Sequence, residues 1–353
     1  MRRRLHPLIA SILVSLAFTA GFLFSHHRPP EAAERHSFAL GTLVHLKLYG
    51  PGAEDALDGA LDRLNELEDA FSVHRVGSDV ARINESAGRE PVPVRPETDR
   101  VLRLAREVAR ASGGAFDPTV GPLVSLWGIG TPAARIPGKE EILRTRGLVG
   151  WRDLIPPDGT EKGWKLARPG QALDLGGIAK GYAGDDLAER LRRRGILAGL
   201  LDLGGNILVF GPHPGGGNWT IGIQDPRKPR GTPLGSVTLE EGTVVTSGVY
   251  ERFFEQQGVR YHHLLDPATG VPARSGLLSV TVVASSSALA DALSTALFVL
   301  GPARSRSLLA RYPAEVLFVT EDRKILLTPS LRRRFRLTDR SFTLRDLPGE
   351  KAP

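Results

Sequence analysis

The chain has 353 residues, 41% of them hydrophobic and 24% charged, which suits a soluble globular body of one large domain or two small ones. The absence of cysteine excludes disulfides, Cys-ligated zinc or iron–sulfur clusters, a thiol nucleophile and lipidation on an N-terminal cysteine. The net charge of +7 sits at the ends: residues 1–36 hold five Arg against two Glu, residues 321–353 hold nine Lys/Arg against five Asp/Glu, and +7 less +3 and +4 leaves zero for residues 37–320, which disfavours a nucleic-acid-binding body.

Arg2, Arg3 and Arg4 precede an uncharged apolar run from Leu8 to Phe24, at the border between a secretory signal and a short membrane anchor. Either reading exports the body, and the leading positive charge keeps the N-terminus in the cytoplasm. No A-x-A cleavage site follows Phe24 and the polar HHRPPEAAERHS stretch reads as a linker, so residues 1–36 are expected to be a signal or anchor segment with its linker, the anchor version favoured. Residues 37–50 then alternate apolar and polar from Thr42 to Leu48, which predicts a first strand.

Leu57, Leu61, Leu64, Leu67 and Phe71 recur at helical spacing and predict a core-facing helix over 53–71. A loop and short helix follow over 71–88 with Ser78 as N-cap, and a second amphipathic helix over 98–112 is stopped by Gly113–Gly114. Residues 113–130 are too rich in Gly and Pro for regular structure, and Asp117 before Pro118 reads first as a turn-former bonding neighbouring backbone. A short helix is expected over 139–149.

Residues 172–211 predict a strand ending in Asp174 and Gly176–Gly177, a helix opened by Lys180, and a second strand ending in Asp202 and Gly204–Gly205. Two readings stay open for this block. Carboxylates beside exposed peptide groups, with an ammonium at a helix N-terminus, suit a polyphosphate and its metal, while a plain connection with tight glycine turns needs no ligand. Further strands are expected near 219–224, 235–239, 278–284, 316–320 and 324–327. The pair His262–His263 alternates faces, one imidazole towards a core or cleft and the other towards solvent. Helix 286–301 is apolar nearly all round, and Asp291 and Thr295 share one of its faces; a carboxylate there is costly unless paired or bound to a cation. The Arg-rich stretch from Arg332 is expected to be a solvated end.

Five ordered blocks, GGAFDPTVGPLVSLWG, LDLGGIAKGYAGDDLAERL, TSGVYERFF, HHLLDPATG and ADALSTALFVLG, resemble the ApbE family of FAD:protein FMN transferases over roughly residues 37–327. The resemblance implies an α+β fold of mixed β-sheets with packed helices, a two-lobed single catalytic domain with FAD in the cleft between lobes. The expected organisation is residues 1–36 as above, 37–330 as the transferase domain and 331–353 as a basic tail. It also implies an exported, periplasmic-side enzyme that uses Mg²⁺ to move FMN from FAD onto a Thr or Ser hydroxyl of an acceptor protein, AMP leaving. The acceptor the resemblance implies is a membrane redox subunit.

Carried over by position, the resemblance places Ala115, Phe116, Asp117, Asp174, Lys180 and Leu265 at the FAD site, with Leu40 and His74 also facing the flavin. Leu40 stands where Met is usual, and His74 where a Tyr commonly meets the flavin. The metal ligands it implies are Asp291, Thr295 and the carbonyl of Gly177, and His263 takes the proton-transfer role. Two other outcomes remain on the sequence: an exported protein that holds FAD without transferring it, and a Mg²⁺-dependent FAD pyrophosphatase releasing FMN and AMP.

Overall fold

The computed structural model describes residues 32–159 and 162–347. The apolar run from Leu8 to Phe24 lies outside the described residues, and among those residues no helix is long and apolar enough to cross a membrane.

A nine-stranded sheet runs through the molecule: β1 (Ala32–Ala39), β2 (Thr42–Tyr49), β3 (Ala198–Asp202), β4 (Asn206–Phe210), β5 (Gly242–Gly248), β6 (Leu277–Ala284), β7 (Glu315–Thr320), β8 (Lys324–Leu327) and β9 (Thr343–Asp346). Their spatial order is their chain order, and every neighbouring pair is antiparallel except the last. Helices of seven or more residues interrupt this meander at two places. Between β2 and β3 come α1 (Ala53–Phe71), α2 (Asp79–Glu85), α3 (Pro96–Ala111), α4 (Gly121–Trp127), α5 (Lys139–Arg146) and α6 (Ala179–Arg193); between β6 and β7 comes α7 (Ser287–Arg304).

The leucine ladder of α1 meets the sheet as its spacing predicts, with Leu57, Leu64 and Leu67 fully buried. The N-terminus of α2 is held by Ser78 Oγ, which accepts from the Ala81 N–H at 2.9 Å. Helix α7 is buried nearly all round and kinks where Gly301 takes φ 68° ahead of Pro302. These helices and one sheet face enclose the main core. A three-stranded sheet of Trp219–Gln224, Pro233–Leu239 and Phe335–Leu337 covers the other face and makes a second core with Val209, Val244, Leu317 and Ile325. The architecture is the α+β arrangement of mixed sheets and packed helices that the resemblance implied.

Four local expectations change. Residues 113–130, expected to lack regular structure, contain α4 at Gly121–Trp127, with Pro122 in its first turn, where a missing N–H costs nothing. Residues 32–36, expected as linker, form the start of β1, and a two-residue turn at Leu40 (φ 51°) and Gly41 (φ 68°) joins it to β2, so the single expected strand is a hairpin. Composition misled because an edge strand with one solvated face is polar. Residues 172–175 make only one bridge, Val120 to Ala172, and no strand. Their backbone groups are satisfied elsewhere: Asn84 holds both the N–H and the carbonyl of Leu173, at 2.6 and 3.1 Å, and Asp174 N–H donates to the Pro118 carbonyl at 2.8 Å. Residues 332–347 are folded, since Phe335–Leu337 joins the small sheet, β9 pairs in parallel with β8, and Phe342 and Leu347 are buried.

Candidate active site

Antiparallel order brings the start of β2, the end of β3, the start of β4 and the end of β5 to one edge of the large sheet, and a cleft of about 550 Å³ opens there. Its lining includes Leu40, His74, Ala115, Phe116, Asp117, Asp174, Gly177, Lys180, His263, Leu265, Asp291 and Thr295, so every residue carried over by resemblance reaches one space. Asp202 does not line it.

The floor is made where α6 meets α7. Gly181 sits so close to the start of α7 that a Cβ there would stand 2.2 Å from the Ser287 carbonyl oxygen. That approach lets the Gly181 N–H donate to Asp291 Oδ2 at 2.9 Å, and Lys180 Nζ lies 4.0 Å from the same oxygen while donating to the Gly176 carbonyl at 3.1 Å. Asp185, one turn further along α6, caps α7: its carboxylate accepts from Ser286 Oγ and from the N–H groups of Ser287 and Ala288 at 2.8 to 3.0 Å. Burial pushes the Asp185 carboxyl up, and those three donors oppose the shift.

Asp291 is only 4% exposed, yet among the described residues its Oδ1 has no hydrogen-bond partner, and neither has the hydroxyl of Thr295 one turn on. Gly177 faces this pair: a Cβ built on it would lie 3.1 Å from Thr295 Oγ1 and 3.2 Å from Phe116 Cε2. A carboxylate oxygen, a hydroxyl and a nearby backbone carbonyl are oxygen donors of the kind a hard divalent cation takes, so the residues present fit Mg²⁺.

The glycine turns follow the second of the two open readings. Asp174 Oδ1 accepts from the Gly176 N–H at 2.8 Å, and Asp202 Oδ1 accepts from the N–H groups of Gly204 and Gly205 at 3.0 and 3.1 Å. These peptide donors are spent on closing their own turns rather than offered to a polyphosphate. Asp117 combines both readings. It lines the cleft at 7% exposure, but its oxygens accept from Thr119 N–H, Thr119 Oγ1 and Trp151 N–H at 2.8, 2.7 and 2.9 Å. Burial raises its carboxyl above the usual range, against the pull of those donors.

The histidines point to opposite sides as alternation requires, but neither faces open solvent: one enters the core and the other the cleft. His262 is buried against Phe298, its Nε2 bonded to the Ala273 carbonyl at 3.2 Å, and desolvation pulls it down to about 4. His263 turns to the cleft, where its Nδ1 lies 3.2 Å from the Arg252 carbonyl, which can only accept. Nδ1 therefore carries the hydrogen and Nε2 keeps a free lone pair. The residue is half-buried, but close packing desolvates the ring itself, and with the charges of Arg252 and Lys180 this holds its imidazolium well below the ordinary range.

Leu40 and His74 stand on the rim. The Leu40 N–H donates to Glu68 Oε2 at 3.1 Å, and Arg252 reaches the Gly41 carbonyl at 3.2 Å, so two side chains hold a turn in which a leucine occupies the left-handed region. His74 is exposed, its N–H bonded to Ser72 Oγ at 3.1 Å. The sequence reading passed over Gly181, Asp185 and Arg252. The first two had a signal, since small residues at 181, 184 and 188 mark a helix face that packs closely; Arg252 had none beyond its place in TSGVYERFF.

The ApbE family model matches residues 40–318. The FAD:protein FMN transferase of Treponema pallidum is 37% identical over 88% of this chain and 90% of its own length, and that of Klebsiella pneumoniae 37% identical over 87% and 95%. The crystal structure of the ApbE protein of Thermotoga maritima superposes with a TM-score of 0.80 at 36% identity, covering 87% of this chain and all of that one. The flavin transferase ApbE of Vibrio cholerae gives 0.75 at 30% identity, again over 87% of this chain and all of that one. With its sequence and its fold matched over the same span, the chain belongs to the ApbE family of flavin transferases.

Proposed function

We propose that this protein moves FMN from FAD to a Thr or Ser hydroxyl of an acceptor protein, with AMP as the leaving group. The observation that carries the reading is the convergence of Asp291 Oδ1, the Thr295 hydroxyl and Gly177 beside Lys180 and His263, from blocks more than a hundred residues apart, in one cleft. Asp291, Thr295 and the Gly177 carbonyl would hold Mg²⁺. A hard cation bound there supplies charge neutralisation for phosphoryl oxygens.

The acceptor hydroxyl oxygen attacks the FMN phosphorus. A new P–O bond forms as the pyrophosphate P–O bond breaks, and AMP departs with that electron pair. His263 Nε2 takes the hydroxyl proton, since Nδ1 is already committed to the Arg252 carbonyl. Lys180, held between the Gly176 carbonyl and Asp291, adds positive charge beside the phosphates. Phe116 and Ala115 offer apolar contact on one wall, and Leu40 on the rim.

The resemblance and the Arg-flanked apolar run before the body support export to the periplasmic side of the inner membrane, where a membrane redox subunit would be the acceptor. Detecting the mature N-terminus by mass spectrometry checks this, and a start beyond Phe24 would remove the anchored form. The transfer itself is tested by incubating the protein with FAD, Mg²⁺ and a candidate acceptor. A fluorescent acceptor heavier by one FMN is expected, whereas free FMN and AMP formed equally with and without acceptor would make it a pyrophosphatase. Asp291→Asn keeps the shape and removes the charge, so transfer is expected to fall by two or more orders of magnitude (~10²) with a steeper demand for Mg²⁺. An Asn variant with unchanged Mg²⁺ dependence would overturn the ligand assignment.

A further inference from the structure

We propose that Glu34, His36 and His45 form a second cation site, for a divalent first-row transition ion such as Zn²⁺, on the outer face of the β1–β2 hairpin. His36 and His45 are direct cross-strand partners whose rings stack 4.3 Å apart and within 6° of parallel; parallel rings do not aim both Nε2 lone pairs at one point, so binding an ion requires the exposed His36 ring to turn out of the stack. Glu34 is two residues before His36 and so shares its face. Its Oε1 lies 2.7 Å from His45 Nε2 and 3.6 Å from His36 Nε2, and one ligand atom from each of the three lies within 4.8 Å of the others.

A tetrahedral ion with bonds of about 2.0–2.1 Å holds its ligand atoms roughly 3.3 Å apart, and the two measured separations bracket that value. Two imidazoles and a carboxylate are a donor set for zinc or its neighbours; magnesium prefers an octahedron of oxygens. Three protein ligands leave one position for water. None of the three residues lines the cleft, so flavin transfer gives them no task.

Lys47 Nζ sits 3.0 Å from Glu34 Oε2, the oxygen that faces away from this ligand set, and its charge opposes a bound cation. The position gives the ion a consequence. Among the described residues β1 has a neighbour on one side only, and a metal bridging His36 to His45 would staple this edge strand to β2 just before the turn that carries Leu40 at the cleft rim.

The test strips the full-length protein with EDTA, saturates it with Mg²⁺ and titrates it with ZnCl₂ in competition with a chromophoric chelator, alongside melting curves. One Zn²⁺ is expected, with affinity at least tenfold weaker in His36→Gln and in His45→Gln, and several-fold tighter in Lys47→Met. Asp291→Asn and the double variant His26→Gln, His27→Gln are expected to keep it. Zinc should raise the melting temperature of the unaltered protein and leave that of the His36→Gln, His45→Gln double variant unmoved. Melting without metal shows whether each variant is folded. Zinc binding that the His36, His45 double variant keeps, or that disappears with Asp291→Asn, would leave the three residues an ion-pair cluster only.

Discussion

Asp117 shows how one side chain can serve a site through the backbone it holds. Its carboxylate fixes Thr119 and the buried N–H of Trp151, so Asp117→Ala is expected to lower stability by about 1–3 kcal/mol, the cost of leaving a buried donor unpaired, as well as weakening FAD binding. Calorimetric melting paired with FAD titration checks this; a variant with wild-type melting and weak binding would return Asp117 to a purely ligand-facing role. His263 raises a different question, because a base held far below its ordinary range is neutral at every working pH but weak. The FAD phosphates bring negative charge that opposes Arg252 and Lys180, so binding should raise the His263 pKa. The acid limb of kcat/KM, which reports the free enzyme, is therefore expected well below pH ~6.5, and that of kcat higher than that of kcat/KM. His263→Ala should reduce transfer by roughly 10²–10⁴ and remove the acid limb. Identical limbs in both profiles would show that bound FAD does not act on this imidazole.

At the scale of elements, the site depends on how closely α6 lies on α7. Gly181→Ala introduces a Cβ 2.2 Å from the Ser287 carbonyl oxygen, a contact that backbone cannot yield without moving a helix. Loss of about 1–3 kcal/mol is expected, with transfer falling too, because the N–H of residue 181 would be drawn off Asp291 Oδ2. Gly184, whose Cβ would stand 3.3 Å from the Ser287 hydroxyl, is the milder control. Thermal melting and transfer rates for the two variants decide it, and a Gly181→Ala protein as stable and active as the Gly184→Ala one would show that the helices have slack. The helices themselves were readable from periodicity: α1 spans the predicted residues, and α3 and α7 start within two residues of expectation. The strand predicted at 172–175 failed because an apolar run bounded by glycines suits either a strand or an extended loop, and Asn84, distant in sequence, supplies the partner groups.

Across the whole molecule, a sheet whose spatial order is its chain order closes its far edge with β9, and the small sheet needs Phe335–Leu337 to cover the second core. Deleting residues 333–353 removes the buried side chains of Phe335, Phe342 and Leu347, each contributing about 1.5–3 kcal/mol by burial. That sum is comparable with the stability of a typical domain, so the truncated chain is expected to melt far below the full-length protein or to aggregate. Melting at the full-length temperature would restore the solvated tail. Charge count drew the tail reading, and it could not see that Phe335, Phe342 and Leu347, set among the arginines, are buried.

From residue order alone came the helices, the neutral body, the ordered blocks that fix the family, and the Asp291–Thr295 pair on one helical face, because each depends on local periodicity or on motifs a few residues long. Folding decided which groups are free to act. Asp174, Asp202 and Asp117 look as available in sequence as Asp291 does, yet Asp117 commits both oxygens to N–H and hydroxyl donors, and Asp174 and Asp202, half-buried, each spend one on the glycine N–H groups of their own turns, while Asp291 is 4% exposed and the approach of α6 to α7 occupies only its Oδ2. That difference is one of hydrogen-bond satisfaction between segments up to 110 residues apart, and no pattern within either segment contains it.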